Sequence, residues 1–192
     1  ISQIWVAKGT YLPKYEGANL GCAASGVNRD NSFVLVSKLK IFGGFAGGET
    51  LSSQANPTTN VTILSGDIGV TFTSSDNCYH VVIGAGALST ASLNGFTIKS
   101  GNANAATTIT VNSRNIAAAC GAGIHLVASS PAITNCIISN NLATSNGAGM
   151  YDSLASAPAV SNCSFFSNTA SKDAGALYNY TSSPVNRQLK VD

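Results

Sequence analysis

Gly121-Ala122-Gly123-Ile124-His125 returns as Gly147-Ala148-Gly149-Met150-Tyr151 and again as Ala174-Gly175-Ala176-Leu177-Tyr178. The copies begin 26 and 27 residues apart, counted from Gly121 to Gly147 and from Gly147 to Ala174. Other landmarks keep the same step. Pro131 recurs as Pro158 and Pro184, Ile133-Thr134-Asn135-Cys136 recurs as Val160-Ser161-Asn162-Cys163, and Asn141 recurs as Asn168. A repeat of this length marks a solenoid, in which each unit buries its apolar face only against its neighbours.

The unit itself reads as strand. Within each copy apolar residues alternate over short runs (Ala122, Ile124, Leu126; Cys136, Ile138; Cys163, Phe165), a period near two. Gly, Asn, Ser and Pro interrupt these runs every few residues, leaving no room for a helix of ordinary length. The spacing therefore predicts an all-β fold: a parallel β-helix with coils of about 26–27 residues. Coils would stack at the roughly 4.8 Å spacing of hydrogen-bonded strands.

Working outward, Ile4-Trp5-Val6-Ala7, Phe33-Val34-Leu35-Val36, Leu39-Lys40-Ile41-Phe42 and Val61-Thr62-Ile63-Leu64 continue the strand pattern. So do Tyr79-His80-Val81-Val82-Ile83 and Leu93-Asn94-Gly95-Phe96-Thr97-Ile98. Two stretches break the rhythm, residues 12–32 and 103–119, and both read as insertions looped out of a coil. Nothing divides the chain, so residues 1–192 are expected to form one domain. The Gly43-to-Glu49 turn lacks the G-x-x-x-x-G-K-[ST] pattern of a phosphate-binding loop.

Composition narrows the function classes. Of 192 residues 44% are hydrophobic and only 9% charged, against about 25% charged in ordinary domains, and mean hydropathy is +0.19. Solubility must come from Ser, Thr and Asn, a style suited to an exported protein at the cell surface or outside the cell. The scattered +2 net charge makes no footprint for nucleic acid. No apolar run reaches the roughly 18 residues of a membrane span. No signal-peptide pattern opens the chain, and Ile1 reads as the start of a mature or trimmed product.

The five cysteines are Cys22, Cys78, Cys120, Cys136 and Cys163, with no C-x-x-C pair for zinc or redox chemistry. Cys136 and Cys163 should sit one above the other. A vertical disulfide is conceivable there, although stacked reduced thiols packed as small hydrophobes are the simpler reading.

Tyr79-His80-Val81-Val82, Leu93-Asn94-Gly95-Phe96-Thr97-Ile98 and the Asn-Cys strands resemble bacterial extracellular right-handed parallel β-helix proteins of the pectin-lyase-like group, and the resemblance implies that hand for this solenoid. More narrowly, Gly121-Ala122-Gly123-Ile124 and Phe165-Phe166-Ser167-Asn168 are similar to the repeats of polymorphic outer-membrane proteins, whose pattern is Gly-Gly-Ala-Ile plus Phe-x-x-Asn. Ile4-Trp5-Val6-Ala7-Lys8-Gly9-Thr10-Tyr11 and Ile41-Phe42-Gly43-Gly44-Phe45-Ala46-Gly47 look like the opening of such surface proteins. Ala122 and Ala148 stand where that repeat often has Gly, and Ile138 stands where it has Phe. The resemblance implies an exported, surface-associated scaffold and specifies no ligand.

Candidate site residues follow from the stacking. Asn135 with Asn162, and Asn141 with Asn168, should form amide ladders at the bends, beside the Cys136 and Cys163 stack. If Ile124, Met150 and Leu177 point inward, then His125, Tyr151 and Tyr178 form an outward column. Such a column could stack on sugar rings or serve as a cross-strand ladder that stabilises the sheet. His80, in a strand, reads as a structural histidine rather than a base.

No catalytic constellation is legible. The eight acidic residues supply no facing pair for a glycosidase, and the repeats lack the base and charges a polysaccharide lyase needs. No metal or cofactor site is expected. Regular Thr columns, as an ice-binding wall would need, are absent from the repeats.

The favoured expectation is a non-catalytic surface scaffold or adhesin module, binding glycan or other copies of itself. The alternative is a carbohydrate-active enzyme, a polysaccharide lyase or glycosidase, with its site in the inserts. After Tyr180 the last coil looks unfinished, so the chain is expected to be a fragment of a longer protein or to be covered by another copy at its open end.

Overall fold

A computed structural model describes residues 2–18 and 27–180. Ile1, Cys22, Pro184 and the tail after Tyr180 lie outside the described residues.

The chain winds through successive coils of short strands. The first coil holds β1 (Ser2–Ala7) and β2 (Gly9–Tyr11), the second β3 (Phe33–Val34), β4 (Leu39–Phe45) and β5 (Thr62–Ser65). The third holds β6 (Val82–Ala85), β7 (Ser92–Asn94), β8 (Thr97–Lys99) and β9 (Asn102–Ala103), followed by β10 (Thr108–Val111) and β11 (Arg114–Ala117). The fourth holds β12 (Ile124–Val127), β13 (Ala132–Thr134), β14 (Ile137–Ser139) and β15 (Leu142–Ala143). The fifth holds β16 (Met150–Ser153), β17 (Ala159–Ser161), β18 (Ser164–Phe166) and β19 (Thr169–Ala170), and β20 (Leu177–Tyr180) opens the next.

Equivalent strands stack into three five-stranded walls. Wall I runs β3-β6-β12-β16-β20, wall II β1-β4-β7-β13-β17, and wall III β2-β5-β8-β14-β18, while β9-β15-β19 close one corner. Every pairing in the walls and the corner is parallel. The chain is therefore a parallel β-helix.

Register explains the core. Val82, Ile124, Met150 and Leu177 lie in one column of wall I. Ile41, Leu93, Ile133 and Val160 form the matching column in wall II, and Leu64, Ile98, Ile138 and Phe165 that in wall III. These columns meet in a single hydrophobic cluster down the axis. Burying each such side chain is worth about 1.5–3 kcal/mol, so the walls hold together through their inward faces.

The bends come from left-handed residues. Leu93 to Ile98 reads as one run in sequence but breaks into β7 and β8 at Gly95 (φ 78°); Asn135 and Asn162 (both φ 52°) turn the next two coils at the same place. Short polar side chains and glycine tolerate this conformation best. In the quoted repeat the two glycines have separate duties. Gly121 (φ 65°) and Gly147 (φ 58°) take the left-handed turn. A Cβ on Gly123 or Gly149 would instead collide with the carbonyl of Gly149 or Ala176 in the coil above.

The insertion at 103–119 folds back on the solenoid, one face packed and the other exposed. Ala103 still belongs to the buried corner, and β10 and β11 then form an antiparallel hairpin. Asn112 (φ 46°) and Ser113 (φ 59°) make its turn, as a two-residue hairpin connection requires. Its Ile109, Val111 and Ile116 lie on Val34, Ile83, Ala85 and Val127, the outward side chains of wall I. Of the other insertion, the described parts at 12–18 and 27–32 are joined by an antiparallel bridge between Glu16 and Asn31.

Candidate functional site

The expected column on wall I forms. His125, Tyr151 and Tyr178 occupy one register position on β12, β16 and β20. His125 meets Tyr151 edge-on at 5.0 Å, and Tyr151 stacks on Tyr178 at 5.8 Å with the rings 2° apart. A fourth ring joins it: His80 meets His125 at 4.9 Å, nearly perpendicular. His80 is not the register partner of His125, which is Ile83; it enters from the segment before β6. Position counting along the strands could not place it there.

The column divides into a buried and an open part. His125 is only 1% exposed and His80 2%, whereas Tyr151 and Tyr178 are half-buried. Each imidazole lies with Nδ1 at 3.0 Å from a carbonyl, that of Gly121 for His80 and that of Cys120 for His125. A carbonyl only accepts, so Nδ1 carries the proton in both rings. Burial pushes His80 down to about 4. Burial, and then the neighbouring His80, hold His125 well below its usual 6.5. Burial also raises the Tyr151 phenol to about 12. At neutral pH both histidines are therefore uncharged, and the tyrosine keeps its proton. The open part of the column offers ring faces and hydroxyls.

The amide ladders form as well. Asn162 Nδ2 donates to Asn135 Oδ1 at 3.3 Å, and Asn135 Nδ2 donates to Asn94 Oδ1 at 3.1 Å, so this exposed ladder extends one coil further than the repeat suggests. Asn94 escapes repeat counting because it stands under Thr134 rather than under Asn135. The second ladder is internal. Asn141, fully buried, donates through Nδ2 to Asn168 Oδ1 at 3.0 Å and accepts from Gly101 N–H at 2.9 Å. Here the left-handed residues are the preceding ones, Asn140 and Ser167.

Cys136 and Cys163 stack as free thiols, as Cys78 and Cys120 are also free. The hydrogen bond with Cys163 and burial push the Cys136 thiol well up, while Cys163, half-buried, is drawn down to about 7 by its bond from Cys136.

Beside the exposed ladder runs a cleft of about 670 Å³. Its floor is the bend between walls II and III, with Asn94, Asn135 and Asn162 along it and Thr97, Ile137 and Ser164 beside them. The segment before β5 builds the facing bank with Ser52, Ser53, Ala55, Pro57, Thr58 and Val61. Phe42 and Cys136 complete the lining, and none of these residues is charged. The bank is what sequence reading missed, since residues 51–61 belong to no repeat.

Two charged side chains elsewhere, Glu49 and Arg29, have partners within the fold. The Gly-rich turn after β4 directs the N–H groups of Ala46, Gly47 and Gly48 at the Glu49 carboxylate. Those bonds, Ala46 first, hold Glu49 down at about 2. Arg29 donates to Asn77 O, Asn102 O and Asn104 Oδ1 and covers the Tyr79 ring at 4.2 Å. Among the described residues no three His, Cys, Asp or Glu side chains gather to hold a metal, and no helix is long and apolar enough to cross a membrane.

No protein-family model, curated protein or solved structure matches this chain.

Proposed function

We propose that the chain is a non-catalytic, exported surface scaffold or adhesin module that binds neutral glycan along the asparagine-lined cleft. One observation carries this reading: a cleft of about 670 Å³ is lined by amides, hydroxyls and a few apolar faces, with no carboxylate, base or cation. Its size falls within the roughly 300–1,000 Å³ of small-molecule sites. Sugar hydroxyls pair with amides through both donor and acceptor atoms, while Phe42 and Ile137 offer apolar surface to ring C–H faces. Hydrolysis of a glycosidic bond uses two carboxyl groups and β-elimination uses a base, so the lining favours holding over cutting. The resemblance to pectin-lyase-like and polymorphic outer-membrane repeats supports an exported surface location. The open rings of Tyr151 and Tyr178 are a separate surface for stacking.

Calorimetric titration with neutral polysaccharides (mannan, xyloglucan) and with anionic polygalacturonate tests the proposal. Ile137, 41% exposed, is the variant position, because Ile137→Glu puts a charge and bulk into the cleft without touching the asparagines. The expected result is binding of a neutral polymer that Ile137→Glu weakens at least tenfold and Tyr151→Ala leaves unchanged. Release of new reducing or unsaturated ends would favour the enzyme reading instead. Absence of binding, with light scattering showing end-to-end oligomers, would replace glycan by other copies of the chain as the partner.

A further inference from the structure

The loop between β5 and β6 holds buried oxygens for which no donor stands among the described residues. Cys78 N–H donates to Gly66 O at 2.8 Å and closes the neck of this loop, placing Asp67 and Asn77 on either side of the closure. Within it both carboxylates turn toward the loop's own backbone. Val70 N–H donates to Asp76 Oδ2 at 2.7 Å, and Phe72 N–H donates to Asp67 Oδ2 at 3.1 Å. The second oxygen of each carboxylate, Asp67 Oδ1 and Asp76 Oδ1, is buried and unpartnered. The same is true of Asn77 Oδ1, on a side chain only 7% exposed.

Buried polar atoms are almost always hydrogen-bonded, and three such oxygens in one short loop call for a common partner. That partner must be electron-poor, because a carboxylate and an amide oxygen only accept. Arg29 touches the loop, but it donates to the backbone carbonyls of Asn77 and Asn102 and to Asn104 Oδ1. Hard oxygens of this kind suit a hard cation. Calcium takes six to eight of them in flexible geometry, from carboxylates, amides, backbone carbonyls and water, whereas magnesium requires a near-ideal octahedron.

We propose that residues 66–77 form a calcium-binding loop, with Asp67 Oδ1, Asp76 Oδ1 and Asn77 Oδ1 as side-chain ligands and water or loop carbonyls completing the shell. The ion neutralises two carboxylates held in one loop and fixes the loop's tip. That tip displays Val70 and Phe72, 69% and 96% exposed, with Phe72 in the left-handed region at φ 67°, a conformation rare for an aromatic residue. The loop is also tied to the next coil turn through Asn102 Nδ2, which donates to Ser74 O at 2.7 Å. Calcium thereby reinforces the seam between the second and third coils.

Equilibrium dialysis of the intact protein against radioactive calcium chloride, paired with thermal melting in calcium chloride or chelator, tests the assignment. The expected result is one ion bound per chain, a melting temperature raised by several degrees, and no equal effect from magnesium chloride. Asp67→Asn and Asp76→Asn should each lower calcium affinity at least tenfold, while Asp173→Asn should not. No bound calcium at millimolar concentration would overturn the proposal, whatever the variants do. Calcium binding indifferent to both substitutions would overturn the location, and equal binding of magnesium would overturn the choice of ion.

Discussion

Asn141 and Asn135 are the same residue in the same repeat, yet they do different work. Asn141 lies inside the solenoid and donates also to the carbonyls of Ser139 at 3.0 Å and Ile98 at 3.3 Å. Asn135 and Asn162 lie outside, and their left-handed backbones turn the chain. Asn141→Leu leaves the Gly101 N–H and nearby carbonyls buried without partners, at about 1–3 kcal/mol each. Urea unfolding should therefore show a loss of roughly 3 kcal/mol or more, whereas Asn168→Ser, which keeps an acceptor, should cost less. Equal costs would mean that the internal ladder is not the cause. The pairing of Asn141 with Asn168 is legible from their 27-residue spacing. Their counterpart one coil earlier is not, because it is Gly101, where a Cβ would collide with the carbonyl of Ala122. A position emptied by crowding leaves no side chain for a repeat search to find.

At the scale of elements, the hairpin of β10 and β11 decides what wall I presents to solvent. It covers the outward residues of the earlier coils and stops short of Tyr151 and Tyr178. Ile116, fully buried between hairpin and wall, anchors it. Ile116→Ala should cost roughly 3 kcal/mol, the middle of the range for deleting a buried isoleucine side chain, and should speed hydrogen exchange in β10 and β11 more than in β13 and β14. Uniform exchange across the molecule would show that the hairpin is not a separate docked unit. A sign of this cover stands in the sequence. Val82-Ile83-Gly84-Ala85 is apolar at consecutive positions, as a strand buried on both faces must be, but nothing in the run says which segment supplies the second face.

For the whole molecule, the buried histidine pair makes stability depend on pH. His80 titrates at about 4 in the folded chain and near its ordinary 6.5 when unfolded. Between those values the unfolded chain binds a proton that the folded chain refuses. The stabilising term is therefore fully present above pH 6.5 and is lost as pH falls toward 4, by roughly 3 kcal/mol for His80 alone. His125 shifts in the same direction. The denaturation midpoint should fall steadily from pH 7 to pH 5, a window above the range where Glu49 titrates, and His80→Gln should flatten that slope. A midpoint constant over this window would mean that the pair is not held neutral. Because each coil is hydrogen-bonded to the next, protonation at one corner should weaken the stack rather than a single loop.

The 26- and 27-residue steps, the period-two runs and the recurring Asn, Pro and Cys landmarks were enough to establish the parallel β-helix, its inward columns and the Asn and Cys stacks. All of these follow from local rules: alternation across a strand, tolerance of a left-handed bend, and repetition at a fixed register. Tertiary structure alone decided that His80 reaches His125, that a hairpin buries the outer face of wall I, and that residues 51–61 raise a bank beside the asparagine ladder. It alone also left oxygens of Asp67, Asp76 and Asn77 buried in one loop with no donor among the described residues. Those outcomes depend on contacts between segments with no common period, and periodicity carries no information about which non-repeating segment lies against which coil.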